Sequence, residues 1–309
     1  MVTNPHIVVI LLCYNGAVDT LECVKSLAKS AWDNLSIIIV DNDSADNSLK
    51  ILQENLALTP CEIEFEGKSI FCSTQPDKAI YLLSSGYNGG FSYGNNVGIR
   101  FAMNLNAELF LILNNDTLVD DDIFERFVSS ARNHTNAMIV PQINYYPQTD
   151  LVWSRGGSYD LTTGKLEQFF YNKPDANVVE QFPVSFATGC CWFIPKQILL
   201  DVGPMEESYF MYVEDVEYCH RILEHKFQII CDTSIKVYHK VSASTGGSLS
   251  PFSVWYMARN RIYFFRKYSK NKVEVITRII INDFLKYCIR QRYKFAYVHL
   301  KGCIQGLLN

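Results

Sequence analysis

Short apolar runs alternate with amphipathic stretches over the first 140 residues of the chain. An apolar run of about four to eight residues is typical of a strand buried on both faces, whereas apolar residues three and four positions apart are typical of a helix. The pattern predicts strands at residues 7–13, 35–40, 79–83, 109–113 and 137–141. It predicts helices at residues 19–30, 46–55, 91–104 and 121–134, with Asp46 as the N-cap of the second. This order indicates an α/β fold with a mainly parallel sheet, whose ligands bind beyond the carboxyl ends of the strands.

The pattern changes in the second half of the chain. Residues 144–183 lack helical spacing and predict short strands, and residues 61–78 predict an inserted loop or hairpin. Further strands are predicted at residues 184–195, 227–231 and 235–239, and further helices at residues 216–224, 252–267, 272–287 and 292–307. We therefore expect one domain over residues 1–250, with halves that meet near residue 140, and a helical region over residues 251–309.

An acidic turn, Asn114-Asn115-Asp116, follows the predicted strand at residues 109–113. A carboxylate and two amides at the end of a buried strand suit Mg²⁺ or Mn²⁺ holding a diphosphate. The alternative is a polar turn that caps the next helix. Polar clusters also follow the first two strands, at Tyr14-Asn15-Gly16 and from Asp41 onward. A carboxylate there can accept from a pyrimidine imide or from ribose hydroxyls, or it can simply shape the turn.

A glycine-rich segment over residues 86–98 lies between a predicted strand and a predicted helix. Glycines let backbone amides approach phosphate, and a helix N-terminus favours an anion. The segment contains neither Gly-x-Gly-x-x-Gly nor a Gly-Lys-Ser/Thr ending, so it is not a dinucleotide fingerprint or a Walker loop.

Glu214 and Asp215 stand at the start of a predicted helix. Acids are favoured there by the helix dipole, but one of the pair can also serve as a general base, with Arg221 orienting the second. His239 ends a predicted strand and is either a metal or diphosphate ligand or a histidine satisfied within the core. Arg259 flanks Asn260 and either binds phosphate or lies on a solvated face.

Composition and charge narrow the class of protein. Hydrophobic residues make up 48% of the chain and charged residues 19%, as in a globular protein. The ten cysteines lack Cys-x-x-Cys spacing, which predicts free thiols in a reducing cytosol. Residues 259–309 hold 12 Lys and Arg against two acids, Glu274 and Asp283, although the whole chain has a net charge of −4. This basic region predicts either an anionic membrane surface as partner or docking on the acidic body, and no nucleic-acid motif accompanies it.

No apolar run approaches the roughly 18 residues that a membrane-spanning helix needs. The start of the chain also lacks the basic and then apolar stretch of a signal peptide. We therefore expect a cytoplasmic protein whose membrane contact is peripheral, on the inner face of the cytoplasmic membrane.

Together these segments resemble family-two glycosyltransferases, especially the bacterial rhamnosyltransferase-like branch that builds O-antigen, capsule and related polysaccharides. The resemblance covers roughly residues 5–265 and rests on the order of its motifs. These are Cys-Tyr-Asn, Val-Asp-Asn-Asp-Ser, Asn-Gly-Gly-Phe-Ser-Tyr-Gly-Asn-Asn-Val-Gly, Leu-Asn-Asn-Asp-Thr, Gly-Gly-Ser-Tyr-Asp, Ala-Thr-Gly-Cys-Cys, Tyr-Val-Glu-Asp-Val-Glu-Tyr-Cys-His-Arg and Tyr-His. The Asp-x-Asp of the family stands here as Asn114-Asn115-Asp116, with an amide in first place.

The resemblance implies a GT-A fold, with a Rossmann-like nucleotide-binding sheet, a mixed acceptor-side β region and C-terminal helices. It implies inverting transfer from a nucleotide-sugar, dTDP-rhamnose before UDP-hexose, to a hydroxyl of a glycan or lipid-linked acceptor. Asp215, or Glu214 beside it, would be the catalytic base, and Asp116 with His239 would hold Mg²⁺ or Mn²⁺. The donor-side candidates are Tyr14, Asn15, Asp41, Asn88, Phe91, Asn95, Asn115 and Arg259.

Two other functions fit parts of the pattern. A catalytically silent homologue would bind nucleotide-sugar or glycan as a partner subunit, although Glu214, Asp215, Asp116 and Asp41 are all present. A nucleotidyltransferase also uses a parallel nucleotide-binding sheet, but it usually has a basic glycine-rich loop near the N-terminus, and Tyr14-Asn15-Gly16 is not one.

Overall fold

The computed structural model describes residues 4–73, 78–241 and 249–308. Within these ranges the strands are, in chain order, β1 (Ile7–Cys13), β2 (Leu35–Asp41), β3 (Thr59–Pro60), β4 (Ile70–Cys72), β5 (Lys78–Ser84), β6 (Leu109–Asn114), β7 (Thr117–Val119), β8 (Ala137–Tyr145), β9 (Leu151–Ser154), β10 (Gly157–Asp160), β11 (Lys165–Gln168), β12 (Lys173–Pro174), β13 (Gln181–Pro183), β14 (Cys191–Pro195) and β15 (Gln228–His239). The helices are α1 (Ala17–Ala28), α2 (Ser48–Asn55), α3 (Gly90–Met103), α4 (Ile123–Asn133), α5 (Lys196–Val202), α6 (Glu214–Glu224), α7 (Pro251–Tyr268), α8 (Lys272–Ile289) and α9 (Tyr293–Leu308). All strands and helices predicted for the first 140 residues are confirmed, with shifts only at their ends.

The centre of the molecule is a parallel sheet in the order β6-β1-β2-β5. Side chains alternate between its faces: Val8 and Ile10 pack with α3, whereas Val9 and Leu11 pack with α1. Helix α3 approaches the sheet so closely that a Cβ on Gly98 would lie 2.6 Å from Cγ2 of Ile10. The carboxyl ends of β1, β2 and β6 consequently meet at one edge, where the candidate side chains follow.

Antiparallel strands extend this sheet on the side of β6. Strand β14 pairs with β6, followed by β8 and β9, so strands from both sides of residue 140 share one sheet. Strand β15 runs parallel to β8 and antiparallel to β7. These pairings place His239 opposite Thr117 and Tyr145, which brings the end of β15 to the acidic turn after β6.

Several predicted boundaries were wrong. The strand predicted at residues 184–195 is confined to β14. The two strands predicted at residues 227–231 and 235–239 are one strand, β15, with a register shift between Asp232 and Lys236. Helix α2 begins at Ser48 after Asn47, and Asp46 accepts from the Ser48 amide at 2.8 Å instead of occupying the N-cap. Within the predicted insertion, β4 forms a hairpin with β3 and pairs with β5; residues 74–77 of that insertion lie outside the described ranges.

The three predicted C-terminal helices are present as α7, α8 and α9. Helix α9 lies directly on α7 because two of its positions are glycine. A Cβ on Gly302 would lie 2.5 Å from the carbonyl oxygen of Trp255, and one on Gly306 would lie 2.4 Å from that of Arg259. Among the described residues, no helix has the length and apolar character needed to cross a bilayer.

Candidate active site

Asp41 ends β2 at the carboxyl edge of the parallel sheet, opposite Cys13 of β1. Only 3% of the residue is exposed, and its Oδ2 accepts from the backbone amide of Ser44 at 3.2 Å. Its Oδ1 is buried and has no hydrogen-bond partner among the described residues. Because an unsatisfied buried acceptor is costly, this oxygen suits a donor brought by a ligand, such as a base imide or a ribose hydroxyl.

Asn15 and Tyr14 follow β1 but face different surroundings. The Asn15 amide donates to Oγ of Ser44 at 2.9 Å, and Oδ1 of Asn15 accepts from the amide of Ala45 at 2.8 Å. Asn15 therefore joins the loops that follow β1 and β2, with a left-handed backbone (φ 52°) that Asn tolerates. Tyr14 is 42% exposed at the rim of the same edge, where its ring is accessible to a ligand.

The glycine-rich segment enters α3 through a network of amides. Nδ2 of Asn42 donates to Oδ1 of Asn88 at 3.0 Å, and the same Oδ1 accepts from the amide of Gly90 at 3.1 Å. One turn into the helix, Nδ2 of Asn95 donates to the carbonyl of Phe91 at 2.9 Å. The side-chain oxygens of Asn42 and Asn95 are buried and lack partners among the described residues. With Asp41, they give this edge a set of buried acceptors around the helix N-terminus.

Phe91 connects this edge to the antiparallel side of the sheet. Its ring meets Trp192 of β14 edge to face, with centroids 6.4 Å apart. A Cβ on Gly189 would lie 2.7 Å from Cζ of Phe91, so only glycine fits against the ring there. Phe91 is therefore a packing residue between the donor-side helix and the segment that leads into β14.

Asp116 and His239 form the acidic turn's main contact, with Nε2 of His239 3.0 Å from Oδ1 of Asp116. His239 is 6% exposed, and its Nδ1 is buried without a hydrogen-bond partner among the described residues. Burial lowers the pKa of His239, but contacts with Cys190 and Asp116 outweigh that effect and raise the pKa to about 10. The imidazole is therefore held as a cation by the carboxylate, and a divalent cation would take the place of its proton.

The other members of the acidic turn face elsewhere. Nδ2 of Asn115 donates to Oγ1 of Thr20 at 2.9 Å, which ties the turn to α1 instead of directing the amide to a ligand. The ring of Trp153, on β9, meets that of His239 edge to face, with ring centroids 4.6 Å apart. The sequence analysis did not select Trp153, because nothing along the chain shows that β9 and β15 both pair with β8.

Lys240 is a second residue that the sequence analysis missed. Its Nζ donates to Asp19 at 2.8 Å and to Glu22, both on α1, and its amide donates to the carbonyl of Asp116 at 3.0 Å. Lys240 thereby anchors the end of β15 against α1, next to His239. The sequence signal that could have identified Lys240 is its position directly after His239.

Glu214 and Asp215 open α6, as predicted; the Glu214 residue is 7% exposed, whereas Asp215 is partly exposed. Burial raises the pKa of Asp215 to about 6, although its carboxylate accepts from the amides of Val216, at 2.8 Å, and Gly189. Burial, together with the charge of Asp215, also raises the pKa of Glu214 well above its ordinary value. Two adjacent carboxyls with raised pKa values near a cleft are typical of acid–base chemistry.

One arginine does not lie where the sequence analysis placed it. Arg221 donates to Glu217 at 3.0 Å and to the carbonyls of Val202 and Pro204, so the expectation that it orients the second carboxylate of the pair was wrong. The guanidinium of Arg259 donates to the carbonyls of Ser208 and Tyr209 at 2.9 and 3.4 Å and to Oδ1 of Asn260 at 2.7 Å. The assignment of Arg259 to the donor phosphates stays a prediction.

The backbone at Gly189 and Cys190 connects the Glu214–Asp215 pair to the Asp116–His239 pair. The amide of Gly189 donates to Asp215, while the thiol of the next residue, Cys190, contacts His239. Because consecutive Cα atoms are about 3.8 Å apart, the carboxyl pair and the Asp116–His239 pair are adjacent parts of one site. The structure thus brings Asp116, His239, Glu214 and Asp215 together on the side of the sheet where Asp41, Asn88 and Asn95 lie.

A family model described as glycosyl transferase family 2 matches residues 8–203. Among curated proteins, the low-salt glycan biosynthesis hexosyltransferase Agl10 of Haloferax volcanii is 27% identical over 298 residues, covering 90% of this chain and 92% of its own. The dTDP-rhamnosyl transferase RfbF of Shigella flexneri is 21% identical over 325 residues, covering 98% of this chain and 96% of its own.

Solved structures share the fold. GalNAc-T7 with UDP, GalNAc and Mn²⁺ superposes with a TM-score of 0.66 at 13% identity, over 97% of this chain and 55% of that one. The mannosyltransferase PcManGT of Pyrobaculum calidifontis, in complex with GDP-Man and Mn²⁺, gives 0.58 at 14% identity, over 97% of this chain and 75% of that one. The chain has the GT-A fold and belongs to glycosyltransferase family 2.

Proposed function

We propose that this enzyme is an inverting glycosyltransferase that moves a sugar from a nucleotide-sugar to a hydroxyl of a glycan or lipid-linked acceptor in bacterial surface polysaccharide synthesis. The observation that supports the proposal is the Glu214–Asp215 pair, in which Glu214 is buried and Asp215 is partly exposed. Asp215 accepts from the amide of Gly189, and the next residue, Cys190, contacts His239. A proton acceptor beside a candidate diphosphate site is what displacement at an anomeric carbon requires.

The chemistry follows from the raised pKa values of the pair. Asp215, with a pKa of about 6, is ionised at neutral pH and takes the proton of the acceptor hydroxyl as its oxygen bonds to the anomeric carbon. The bond from that carbon to the diphosphate breaks in the same displacement, so the configuration inverts. Glu214 has an unpartnered buried Oε2 among the described residues and is the alternative base.

The donor nucleotide is proposed to lie over the carboxyl edge of the parallel sheet. Asp41 would accept from the base or ribose through its unpartnered Oδ1, and Tyr14 would cover the base. Asn88, Phe91 and Asn95 shape the glycine-rich entrance to α3, whose N-terminus favours phosphate. Asn15 and Asn115 support the same edge through their loop contacts.

Asp116 and His239 fit a divalent cation, Mg²⁺ or Mn²⁺. No group of three or more His, Cys, Asp or Glu within the described ranges could hold a metal, so the protein would supply two ligands and leave the others to diphosphate and water. The 3.0 Å contact between Nε2 of His239 and Oδ1 of Asp116 is consistent with a ligand pair. When bound, such an ion neutralises charge on the leaving diphosphate.

The donor sugar is proposed from the relatives. RfbF is described as a dTDP-rhamnosyl transferase and aligns along almost the whole chain, which favours dTDP-rhamnose. Agl10 is described as a hexosyltransferase and has the higher identity, which keeps a UDP-hexose as the second candidate.

Release of nucleoside diphosphate from a panel of dTDP-rhamnose, UDP-glucose, UDP-N-acetylglucosamine and GDP-mannose, with an alkyl glycoside or water supplying the acceptor hydroxyl, tests the proposal. We expect one donor to be turned over with Mn²⁺ or Mg²⁺, and Asp215→Asn to lower its kcat at least about 100-fold, the order of a general base. If only Glu214→Gln has this effect, the base is Glu214. Binding of a nucleotide without turnover of any donor would favour the silent homologue.

The membrane partner is proposed from an exposed face of the C-terminal helices. Four exposed apolar residues on α8 follow one another at spacings of eight, four and four positions: Val273, Ile281, Leu285 and Ile289. Exposed basic residues lie beside this row at Arg278, Lys286 and Arg290. The two acids of the region are already bonded to arginines, Glu274 to Arg278 and Asp283 to Arg261.

An apolar row flanked by positive charge complements an anionic lipid surface, and Lys286 and Arg290 take part in no ion pair among the described residues. On α9, Tyr293, Tyr297 and Leu308 are likewise exposed. We therefore propose a peripheral protein of the inner cytoplasmic-membrane face, docked through α8 and α9, where a lipid-linked acceptor would be available.

A further inference from the structure

The loop at residues 209–213 leads directly into the candidate base pair and has an unusual backbone. Phe210, Tyr212 and Val213 have φ angles of 63°, 68° and 70°. Left-handed conformations are strained in residues other than glycine, and a β-branched residue such as Val213 is a true outlier there. Such a loop keeps this shape only if its surroundings determine it.

Asn260 of α7 supplies much of that constraint. Its side chain is fully buried, and Nδ2 lies 2.9, 2.8 and 2.7 Å from the carbonyl oxygens of Tyr209, Met211 and Tyr212. An amide has two hydrogens, so three carbonyls turned toward one nitrogen share them. A single side chain thus binds the carbonyls of three of the loop's five residues.

The orientation of the Asn260 amide is fixed by its neighbour. Oδ1 of Asn260 accepts from Nη1 of Arg259 at 2.7 Å, which leaves Nδ2 facing the loop. Arg259 also donates to the carbonyls of Ser208 and Tyr209, so the two residues together hold the loop from the α7 side.

The opposite side of the loop contacts the donor-side helix. The carbonyl of Phe210 accepts from the amide of Phe91 at 2.8 Å, and it would lie 2.0 Å from a Cβ on Gly90. Gly90 itself has a φ of 83°, so both space and backbone conformation require glycine there. The loop is therefore held between the entrance to α3 and Asn260, immediately before Glu214 and Asp215.

We propose that Asn260 is a positioning residue, which fixes the left-handed 209–213 loop so that the carboxyl pair at the start of α6 faces the acceptor hydroxyl. This inference rests on the proposed function, because the pair must act as the base. The alternative is that Asn260 only satisfies buried carbonyls and contributes to stability.

Asn260→Leu, which keeps the approximate shape and removes both donors, separates the two roles. We expect kcat for nucleoside diphosphate release from the best donor of the panel to fall about tenfold to 100-fold, as for a misplaced catalytic group. The KM for that donor and the Kd for its nucleoside diphosphate should change less than about twofold, since Asn260 has no described contact with the donor-side edge. Hydrogen exchange of the amides at residues 210–213 should accelerate.

Ile276→Ala is the matched control, because Ile276 is buried in the same C-terminal packing but lies on α8, away from the loop. It should lower Tm without changing kcat or exchange at residues 210–213. If Asn260→Leu does not give soluble protein, kcat, KM and Kd are compared in the same way for Asn260→Ser, which keeps one donor.

The outcomes are distinguishable. Wild-type protein that turns over no donor would overturn the proposed function. An active wild type whose Asn260 variant keeps its kcat, or loses kcat only as much as the Tm-matched control does, would overturn the role of Asn260 alone.

Discussion

The carboxylate of Asp116 and the imidazole of His239 meet at 3.0 Å, although one follows β6 and the other ends β15. The pairing of β7 with β15 creates this contact. If the two residues hold a cation, Asp116→Asn should remove the metal-dependent part of nucleotide binding, weakening it at least about tenfold. Calorimetry of dTDP and UDP, each with Mn²⁺ and with EDTA, measures this part.

Asp150→Asn, at an exposed turn after β8, is the control for that experiment and should bind as wild type does. Because the pKa of His239 is raised to about 10, its proton competes with the ion, and Mn²⁺ affinity should increase as pH rises. Metal-dependent binding that survives in Asp116→Asn would place the cation elsewhere.

Trp153 should report the metal directly. Its ring centroid lies 4.6 Å from that of His239. Paramagnetic Mn²⁺ at the Asp116–His239 pair should therefore quench part of the tryptophan fluorescence, whereas diamagnetic Mg²⁺ should not. Trp153→Phe should abolish most of this difference, and Trp32→Phe, far from the pair, should retain it. Equal Mn²⁺ quenching in wild type and Trp153→Phe would contradict the site.

The rate should depend on pH through the base. Burial raises the pKa of Asp215 to about 6, and only the ionised carboxylate accepts a proton. Below this pKa, kcat should therefore fall about tenfold per pH unit, and it should level off above it. A rate that stays constant down to pH of about 4, the ordinary range of a free carboxyl, would contradict a buried base.

The raised pKa of Asp215 also makes stability depend on pH, in the direction opposite to that of the rate. The folded protein binds the Asp215 proton more tightly than the unfolded chain does, so this group's stabilising contribution is present at low pH and is lost as pH rises through about 6. Asp215→Asn should accordingly raise Tm relative to wild type at pH 8 and lose that advantage at low pH, even though it removes activity.

Gly90 and Gly203 form a matched pair for testing the contact between the loop and α3. Both have left-handed backbones, with φ of 83° and 78°, but a Cβ on Gly203 would meet nothing within 4 Å. Gly203→Ala should cost only the conformational penalty of about 1–3 kcal/mol, because the ψ of −169° puts Gly203 in a backbone region essentially confined to glycine. Gly90→Ala should cost at least about 2 kcal/mol more, because its Cβ would overlap the Phe210 carbonyl. Equal unfolding free energies for the two variants would argue against the close contact.

Membrane docking should depend on the exposed face of α8. Lys286→Glu combined with Arg290→Glu should abolish co-sedimentation with vesicles containing phosphatidylglycerol, and wild type should not bind pure phosphatidylcholine vesicles. Lys29→Glu with Lys50→Glu makes the same change in net charge on the catalytic body, where both side chains are exposed, and should leave binding intact. Loss of binding in both double variants would indicate a general charge effect.

The sequence predicted the parallel half of the fold because each of its strands is a local apolar run. It predicted Asp41 and Asp116 as site residues for the same reason, since they follow those strands directly. Strand β15 was divided in two because Asp232 and Thr233 interrupt the apolar pattern, yet both are buried, where side-chain bonds satisfy them.

Side-chain partners were less predictable than strands. Arg221 was assigned to the carboxyl pair by helical spacing, but Glu217 lies one turn before it and is fully buried, so the arginine's charge is needed there. Asn260 was passed over between two arginines, because its role depends on a loop distant in sequence. Such contacts arise from tertiary packing, which no local pattern specifies.

The glycines of α9 have one more consequence. Gly302 and Gly306 let α9 touch the main chain of α7 at Trp255 and Arg259, next to Asn260. The basic C-terminal helices are therefore not a detachable anchor appended to a finished enzyme. A chimera that exchanges such helices between relatives would have to carry α7 with them, because the glycines of α9 pack on the α7 segment that contains Asn260.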